Sequence, residues 1–157
     1  MIKSGDKIPQ ANFQVLGKDG MKTLSNDDLF NGKKVVLFAV PGAFTPTCSE
    51  AHLPGYVVNS DNFKAKGVDS ILCLAVNDAF VMKAWGDAHN AEELIMLGDG
   101  DGAFTKQLGL SMETGSFGGL RSKRYAMLVE DGVVKALNVE APKEFEVSKA
   151  EHMLELL

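Results

Sequence analysis

The sequence predicts an α/β domain with a mixed central sheet and helices on both of its faces. Two short apolar runs rich in β-branched residues, Lys34–Val40 and Ser70–Val76, are typical of strands buried on both faces. The chain between them is long enough for a helical crossover, so these two strands are expected to be parallel. A later Asp131-Gly132 dipeptide between two apolar runs predicts an antiparallel hairpin, which makes the sheet mixed.

Length and composition bound the possible functions. A chain of 157 residues suits one domain over residues 1–157, and 45% hydrophobic residues supply a core that needs no disulfides. The net charge is −5 and no long run of like charges occurs, which argues against nucleic acid or an anionic membrane as the main partner.

The first half of the chain contains further predicted elements. Lys18-Asp19-Gly20 predicts a turn between two short strands. A helix is expected to begin near Pro46, and Pro54-Gly55 should kink or end that helix. Beyond the second buried strand we expect a helix at Phe80–His89, a strand at Leu94–Leu97 and a helix at Ala103–Leu108.

The last part of the chain predicts the hairpin and one helix. The hairpin strands are expected at Tyr125–Glu130 and Val133–Val139, on either side of the turn. Ser148 is expected to cap a final helix that ends at Leu157, with Glu151 completing a capping box.

The chemistry is expected at Cys48, just after the first buried strand. Thr45 suits a helix N-cap and Pro46 the first helical position, so Cys48 falls in the first turn of the helix. Free N–H groups and the positive end of the helix dipole favour an anion there, and the thiolate is the nucleophilic form of cysteine. The alternative is an inert buried thiol.

Three segments resemble the type II class of peroxiredoxins: PGAFTPTCSEAHLPGY around Cys48, VNDAFVMKAWG after the second buried strand, and RYAMLVEDGVVKALNVE near the end. The resemblance covers nearly the whole chain and implies a thioredoxin-like fold. It also implies a thiol peroxidase that reduces hydrogen peroxide and alkyl hydroperoxides through a sulfenic acid on Cys48.

The same resemblance implies site roles. Thr45 would hydrogen-bond the peroxide and the thiolate, and Pro41 would shield the sulfur from water. Arg124 would stabilise the thiolate and the developing negative charge, although without the resemblance its place in the basic run RSKR favours a surface cation. Gly42, Phe44 and Phe117 are expected at the substrate pocket, where the two phenyl rings would favour organic peroxides.

Cys73 is the second cysteine, and two readings stay open for it. Its position in the middle of an apolar strand is typical of an inert buried thiol, whereas the resemblance admits an intramolecular disulfide with Cys48. We expect instead an external thiol, glutathione with glutaredoxin or alternatively thioredoxin, to reduce the sulfenic acid.

Two other functions compete with the peroxidase. His52 follows Cys48 by four residues and would share its helical face, which permits the Cys–His pair of a cysteine hydrolase. A peroxide-sensing thiol module would use Cys48 without rapid turnover.

No metal, haem or other cofactor is implied by the residues or by the resemblance. A homodimer is expected because family members commonly form one. The polar N-terminus lacks the apolar stretch of a signal peptide, and the few cysteines suit a reducing compartment, so a cytoplasmic location is expected.

Overall fold

The computed structural model describes residues 1–157 and is built on nine strands. They are β1 (Asn12–Gly17), β2 (Gly20–Ser25), β3 (Lys34–Ala39), β4 (Ser70–Ala75), β5 (Ile95–Gly98), β6 (Ser111–Glu113), β7 (Leu120–Ser122), β8 (Tyr125–Glu130) and β9 (Val133–Val139). Seven of them form one sheet in the order β2-β1-β5-β4-β3-β8-β9, and β6 and β7 form a separate two-stranded sheet.

The central strands bear out the predicted mixed sheet. β3 and β4 pair in parallel, as do β4 and β5, whereas β8 pairs antiparallel with β3 and β1 pairs antiparallel with β5. From Val35 to Ala39, and again from Ile71 to Ala75, every residue is buried, as expected for strands covered on both faces. The predicted α/β class and thioredoxin-like arrangement are therefore confirmed.

Six α-helices accompany the sheet: α1 (Asn26–Leu29), α2 (Leu53–Val58), α3 (Ser60–Ala65), α4 (Ala79–Ala88), α5 (Ala103–Leu108) and α6 (Ala150–Leu154). The expected helices after β4 and β5 are present as α4 and α5. Asp78 caps α4 by accepting a hydrogen bond from the Val81 N–H at 2.8 Å. The short helices α1 and α3 and the β6–β7 pair were not predicted, because they are only three to six residues long.

The apolar core lies in two layers on opposite faces of the sheet. One layer contains Phe38, Tyr56 and Trp85 together with both cysteines, and the other is centred on residues such as Phe13 and Leu37. Alternate residues of each central strand supply the two layers because successive side chains point to opposite faces. None of the helices combines the length and the apolar character needed to cross a lipid bilayer.

The predicted hairpin is confirmed at both of its strands. Asp131 and Gly132 have φ angles of 48° and 77°, the positive values that a type I′ turn requires. The turn pairs Glu130 with Val133, and a β-bulge between Leu128 and Val129 then shifts the register by one residue, so that Tyr125 pairs with Val139 at the open end of the hairpin.

The predicted cap of the last helix is wrong. α6 ends at Leu154 rather than Leu157, Lys149 occupies its N-cap position, and no side chain caps it. The Ser148 hydroxyl instead donates to the Glu140 carboxylate at 2.7 Å, and Glu151 takes no part in a capping box. The buried Glu140 carboxylate, which directly follows β9, competes for the serine, and helix-capping rules do not include such a partner.

The first long helix begins at Pro46 as predicted, but Pro54 does not end it. Residues 46–47 are helical, residues Cys48–His52 form a π-helical turn, and α2 continues from Leu53. The Leu53 N–H bonds to the Cys48 carbonyl five residues earlier. A proline lacks an N–H and clashes with the carbonyl four residues before it, and the wider turn lets Pro54 be accommodated within the helix.

Candidate active site

Cys48 lies where the chain leaves the carboxyl end of β3 and enters a helix. The Val40 N–H still pairs with Leu74 in β4 at 3.0 Å, and the helix begins six residues later at Pro46. Cys48 is thus the third helical residue, as predicted, and its side chain is fully buried. The helix N-terminus favours negative charge at this position.

Two side chains contact the Cys48 sulfur. The Arg124 Nη2 donates to Sγ at 3.0 Å, and the Thr45 hydroxyl lies 3.0 Å from Sγ and 2.7 Å from the Gly42 carbonyl oxygen. The hydroxyl carries one hydrogen, so it can donate to only one of these acceptors at a time. Thr45 therefore does not cap the helix with its hydroxyl as predicted, and this group faces the reactive sulfur instead.

The position of Arg124 follows from strand pairing. Tyr125 pairs with Ala39 of β3, so the residue before it lies beside the loop that leads to Cys48. The Glu140 N–H bonds to the Arg124 carbonyl at 2.9 Å and extends the β8–β9 ladder to the site. The alternative of a free surface cation is wrong, because the guanidinium is half-buried and bonded to the thiol sulfur.

His52 contacts the arginine rather than the cysteine. Arg124 Nη1 donates to His52 Nδ1 at 2.8 Å, and His52 Nε2 lies 3.1 Å from the Ser148 carbonyl oxygen. A guanidinium can only donate, so Nδ1 bears the lone pair and Nε2 bears the hydrogen. Burial, with the nearby Arg124 charge second, lowers the pKa of His52 to about 3, so the ring is neutral.

The π-helical turn explains why the expected Cys–His pair does not form. In a regular α-helix, residues four apart share a face, which underlies the hydrolase alternative. Here the N–H of Leu53, five residues on, bonds to the Cys48 carbonyl, so Cys48 and His52 no longer have the spacing that places residues four apart on one helical face. With Nδ1 already bonded to Arg124, His52 is not available as a general base for the thiol.

A loop after β9 covers the Arg124–His52 pair. The centroid of its Phe145 ring lies 4.9 Å from the centroid of the His52 ring and 5.8 Å from the guanidinium carbon of Arg124. Sequence reasoning assigned no role to Phe145, Glu140 or Tyr56 and expected Ser148 only as a cap. Nothing local marks these residues, since they meet the site only through the fold.

A groove of about 550 Å³ opens beside Arg124 and Thr47, and neither Cys48 nor Thr45 lines it. Pro41 and Arg124 line it, together with Thr47, Met112, Lys123, Val139, Glu140, Ala141, Pro142, Lys143, Glu144 and Phe145. Gly42, Phe44 and Phe117, which were expected at the substrate pocket, do not line this groove. Phe44 and Phe117 are 55% and 80% exposed, and Gly42 packs closely against Thr45 and Arg121.

Cys73 lies in the middle of β4, next to Phe38 of β3 and Met96 of β5. Both cysteines are free thiols, and both belong to the same core layer. Complete burial, with nearby Cys48 second, raises the pKa of the Cys73 thiol well above its usual value. These surroundings are those of an inert thiol: Cys48 is equally buried, but Cys73 has no arginine or hydroxyl bonded to its sulfur that would stabilise a thiolate.

The arrangement suits attack by a cysteine thiolate on a small electrophile. A cation and a hydroxyl converge on one sulfur, and a neutral histidine holds the cation in place. No cluster of three or more histidine, cysteine or acidic side chains is placed to hold a metal ion. The fold and the site together define a thiol-dependent oxidoreductase with a thioredoxin-like domain.

Comparison with known proteins gives the family. Residues 3–154 match the Redoxin family. Peroxiredoxin-2E, chloroplastic, from Arabidopsis thaliana is 46% identical over 162 residues, which cover 99% of this chain and 69% of that protein. Peroxiredoxin-2B from the same plant is 44% identical over 159 residues, covering 99% of this chain and 98% of that protein.

A solved structure is also similar. The crystal structure of reduced Prx3 from Vibrio vulnificus in complex with H₂O₂ has a TM-score of 0.97 and 64% identity, covering 99% of each chain. The chain belongs to the peroxiredoxins, in the type II class, and is a thiol peroxidase.

Proposed function

We propose that Cys48 is the residue that reduces peroxides and that an external thiol then restores it. The observation that carries the proposal is the pair of contacts at 3.0 Å from the Cys48 sulfur to Arg124 Nη2 and Thr45 Oγ1. The thiolate attacks the terminal peroxide oxygen, so an S–O bond forms as the O–O bond breaks. The leaving hydroxide or alkoxide takes up a proton and departs as water or an alcohol, and Cys48 is oxidised to the sulfenic acid.

Three neighbours assist this step in the proposal. Arg124 stabilises the thiolate and then the negative charge that grows on the leaving oxygen. Thr45 is free to turn its single hydroxyl hydrogen from the Gly42 carbonyl towards the sulfur or the peroxide. Pro41 forms part of the groove wall and shields the buried sulfur from bulk water.

The proposed substrates are hydrogen peroxide and small alkyl hydroperoxides. The groove beside Arg124 includes apolar walls from Met112, Pro142 and Phe145, which suit an alkyl chain next to the reacting oxygens. The test compares the rates of Cys48 oxidation by hydrogen peroxide and by a bulky hydroperoxide. Met112→Ala, which shortens an apolar wall of the groove, should slow only the bulky substrate. Phe44→Ala and Phe117→Ala test the pocket roles expected from the sequence, and comparable rates for the two peroxides in these variants would count against those roles.

The proposed reductant is glutathione, with glutaredoxin clearing the adduct. One glutathione attacks the sulfenic sulfur and releases water, which leaves a mixed disulfide on Cys48. Glutaredoxin then takes over the glutathionyl group by thiol–disulfide exchange and frees the Cys48 thiolate. The burial of Cys73 supports an external thiol, because this cysteine offers neither thiolate nor access. Thioredoxin is the alternative reductant.

The first experiment is intact mass analysis of the reduced protein after one equivalent of hydrogen peroxide, with peptide mapping. Gain of one oxygen on Cys48 supports the proposed cycle. Loss of two hydrogens with Cys48 joined to Cys73 would replace the external thiol by an internal disulfide. No change at Cys48 would rule out its proposed role. Cys48→Ser, which lacks the thiol, serves as the negative control.

Steady-state turnover separates the reductants. Peroxide consumption is followed with glutathione alone, with glutathione and glutaredoxin, and with thioredoxin and its reductase. Turnover only with thioredoxin would refute the glutathione route. Rapid Cys48 oxidation without turnover in any of these systems would favour the peroxide-sensing alternative.

We also propose that the protein forms a homodimer through an apolar patch near the site. Phe44, Phe80 and Phe117 are all more than half exposed; Phe44 lies in the loop after β3, Phe80 in the first turn of α4, and Phe117 in the segment between β6 and β7. Hydrogen bonds connect these segments: Ala43 to Asn77, and Arg121 to the carbonyl groups of Val76 and Gly118. Exposed apolar clusters commonly mark protein interfaces. Sedimentation analysis of Phe80→Ser against the wild type tests this proposal, and a wild-type monomer at all concentrations would refute it.

The proposed location is the cytoplasm, where thiol reductants are abundant. Support comes from the two free cysteines, which suit a reducing compartment. Fractionation of cells that express the tagged chain tests this, and recovery from another compartment would refute it.

A further inference from the structure

Glu140 is a buried carboxylate beside the active site. It follows β9 directly, and its backbone pairs with Arg124. Its side-chain oxygen Oε2 accepts three hydrogen bonds, from the N–H groups of Glu146 and Ser148 at 2.8 Å each and from the Ser148 hydroxyl at 2.7 Å. The carboxylate thus closes the loop of residues 141–147 on itself.

The charge state of Glu140 fits this contact set. Burial alone would raise its pKa, but the hydrogen bonds from the Ser148 hydroxyl and from backbone N–H groups outweigh burial and lower the pKa. No lysine, arginine or histidine forms an ion pair with it. Its negative charge is therefore stabilised by the loop and Ser148 alone, and the loop geometry depends on it.

Ser148 connects this carboxylate to the active site. Its carbonyl oxygen lies 3.1 Å from His52 Nε2 and accepts from the Tyr56 hydroxyl at 2.7 Å. Both partners are buried. The carbonyl keeps the hydrogen of His52 on Nε2, so the Nδ1 lone pair faces the guanidinium of Arg124. One continuous series of contacts therefore runs from Glu140 through Ser148, His52 and Arg124 to Cys48.

We propose that Glu140 is a positioning residue for the peroxide reaction: it fixes the Ser148 carbonyl, which orients His52 and thereby holds the Arg124 guanidinium against the Cys48 sulfur. The proposal rests on the function proposed above for Cys48. Without the carboxylate, Ser148 loses the acceptor for its N–H and hydroxyl, and the loop that carries Phe145 over Arg124 and His52 loses its closure. The guanidinium then samples positions away from the sulfur.

The test uses Glu140→Ala, Glu140→Gln and the control Glu155→Ala. Glu155 follows α6, is exposed, lies outside the groove, and makes no side-chain hydrogen bond or ion pair. Two rates are measured across pH: oxidation of Cys48 by hydrogen peroxide, and alkylation of Cys48 by iodoacetamide. Alkylation reports thiolate without peroxide, so it tests Glu140 even if the peroxidase proposal fails. Thermal unfolding identifies variants that do not fold.

We expect Glu140→Ala to slow oxidation about ten- to hundredfold, the cost of misplacing a group that must be aligned for reaction. Its alkylation profile should move to higher pH. Glu140→Gln keeps an oxygen that accepts hydrogen bonds and should recover most of both rates, and it still tests the proposal if the alanine variant does not fold. Glu155→Ala should match the wild type.

A double-mutant cycle with His52→Ala separates positioning from general loosening of the fold. If Glu140 acts through His52, the double variant should be no slower than His52→Ala alone. Wild-type rates and pH profile in Glu140→Ala would overturn the proposal. So would losses that add fully with those of His52→Ala.

Discussion

Replacing Arg124 tests the contact on which the site depends. Its Nη2 lies 3.0 Å from the Cys48 sulfur, and its Nη1 bonds to His52, so Arg124→Ala removes a charge and two hydrogen bonds. Matched variants are available: Arg124→Lys keeps the charge without the fork, and Arg121→Lys changes a nearby arginine that bonds only to backbone carbonyls.

The magnitude follows from the charge and the distance. Unit charges about 3 Å apart attract by roughly 5 kcal/mol at an effective dielectric of about 20, before the cost of desolvation is subtracted. Losing a hydrogen bond to a charged group costs about 1.5–3 kcal/mol. We take about 2 kcal/mol, which corresponds to roughly a 30-fold loss of thiolate stabilisation, because every 1.4 kcal/mol is tenfold.

The chain contains its own probe for the assay. Trp85 is the only tryptophan, and its indole N–H donates to the hydroxyl of Ser49, the residue after Cys48, at 3.0 Å. Stopped-flow fluorescence should follow Cys48 oxidation, and the ultraviolet absorbance of the thiolate should report its fraction. We expect a loss of about 30-fold or more in Arg124→Ala, a smaller loss in Arg124→Lys, and wild-type behaviour in Arg121→Lys. An unchanged thiolate fraction and oxidation rate in Arg124→Ala would refute the reasoning.

Three further predictions concern the neighbours of Cys48. Thr45→Val should slow peroxide oxidation about tenfold while iodoacetamide alkylation changes less, because the hydroxyl serves the peroxide as well as the sulfur; equal losses in both reactions would contradict this role. Cys73→Ala should leave the oxidation rate and the gain of one oxygen unchanged, at about 1 kcal/mol lower stability in urea unfolding, and a changed oxidation product would show that Cys73 takes part. Neutral His52 takes up a proton on unfolding, so its contribution is complete above its ordinary pKa of 6.5 and decreases as pH falls towards about 3. Between neutral pH and about pH 5 the wild type should therefore lose roughly 2 kcal/mol more unfolding free energy than His52→Gln, which has no group that takes up this proton. Equal losses in the two proteins would show that His52 is not the buried base.

The sequence predicts those parts of the structure that depend on local order. The bounds of β8, β9 and α5 match the prediction because a type I′ turn and a run of helix formers specify them with few competing choices. The position of Cys48 in the first helical turn is predicted for the same reason, since Pro46 suits only the start of a helix.

The parts that the sequence does not predict are decided by side-chain contacts that neither helix-capping rules nor periodicity include. Glu140 captures Ser148 and removes the expected helix cap, and Arg124 binds His52 and removes the expected Cys–His pair. The π-helical turn depends on how Pro54 is accommodated within a helix, and periodicity rules assume one residue spacing throughout. The groove likewise forms between the loop after β9 and residues from earlier in the chain.

The π-helical turn at Cys48–His52 also sets which part of the protein should open first during turnover. A π-helical turn interrupts the regular hydrogen-bond pattern of an α-helix, and this one lies within the helix that buries the sulfur. A bulky thiol cannot reach Sγ while that helix is closed. Amide hydrogen exchange in this turn should therefore be faster than in the flanking helix and in β4, and the rate of that opening sets an upper limit on how quickly oxidised Cys48 can be returned to its thiol.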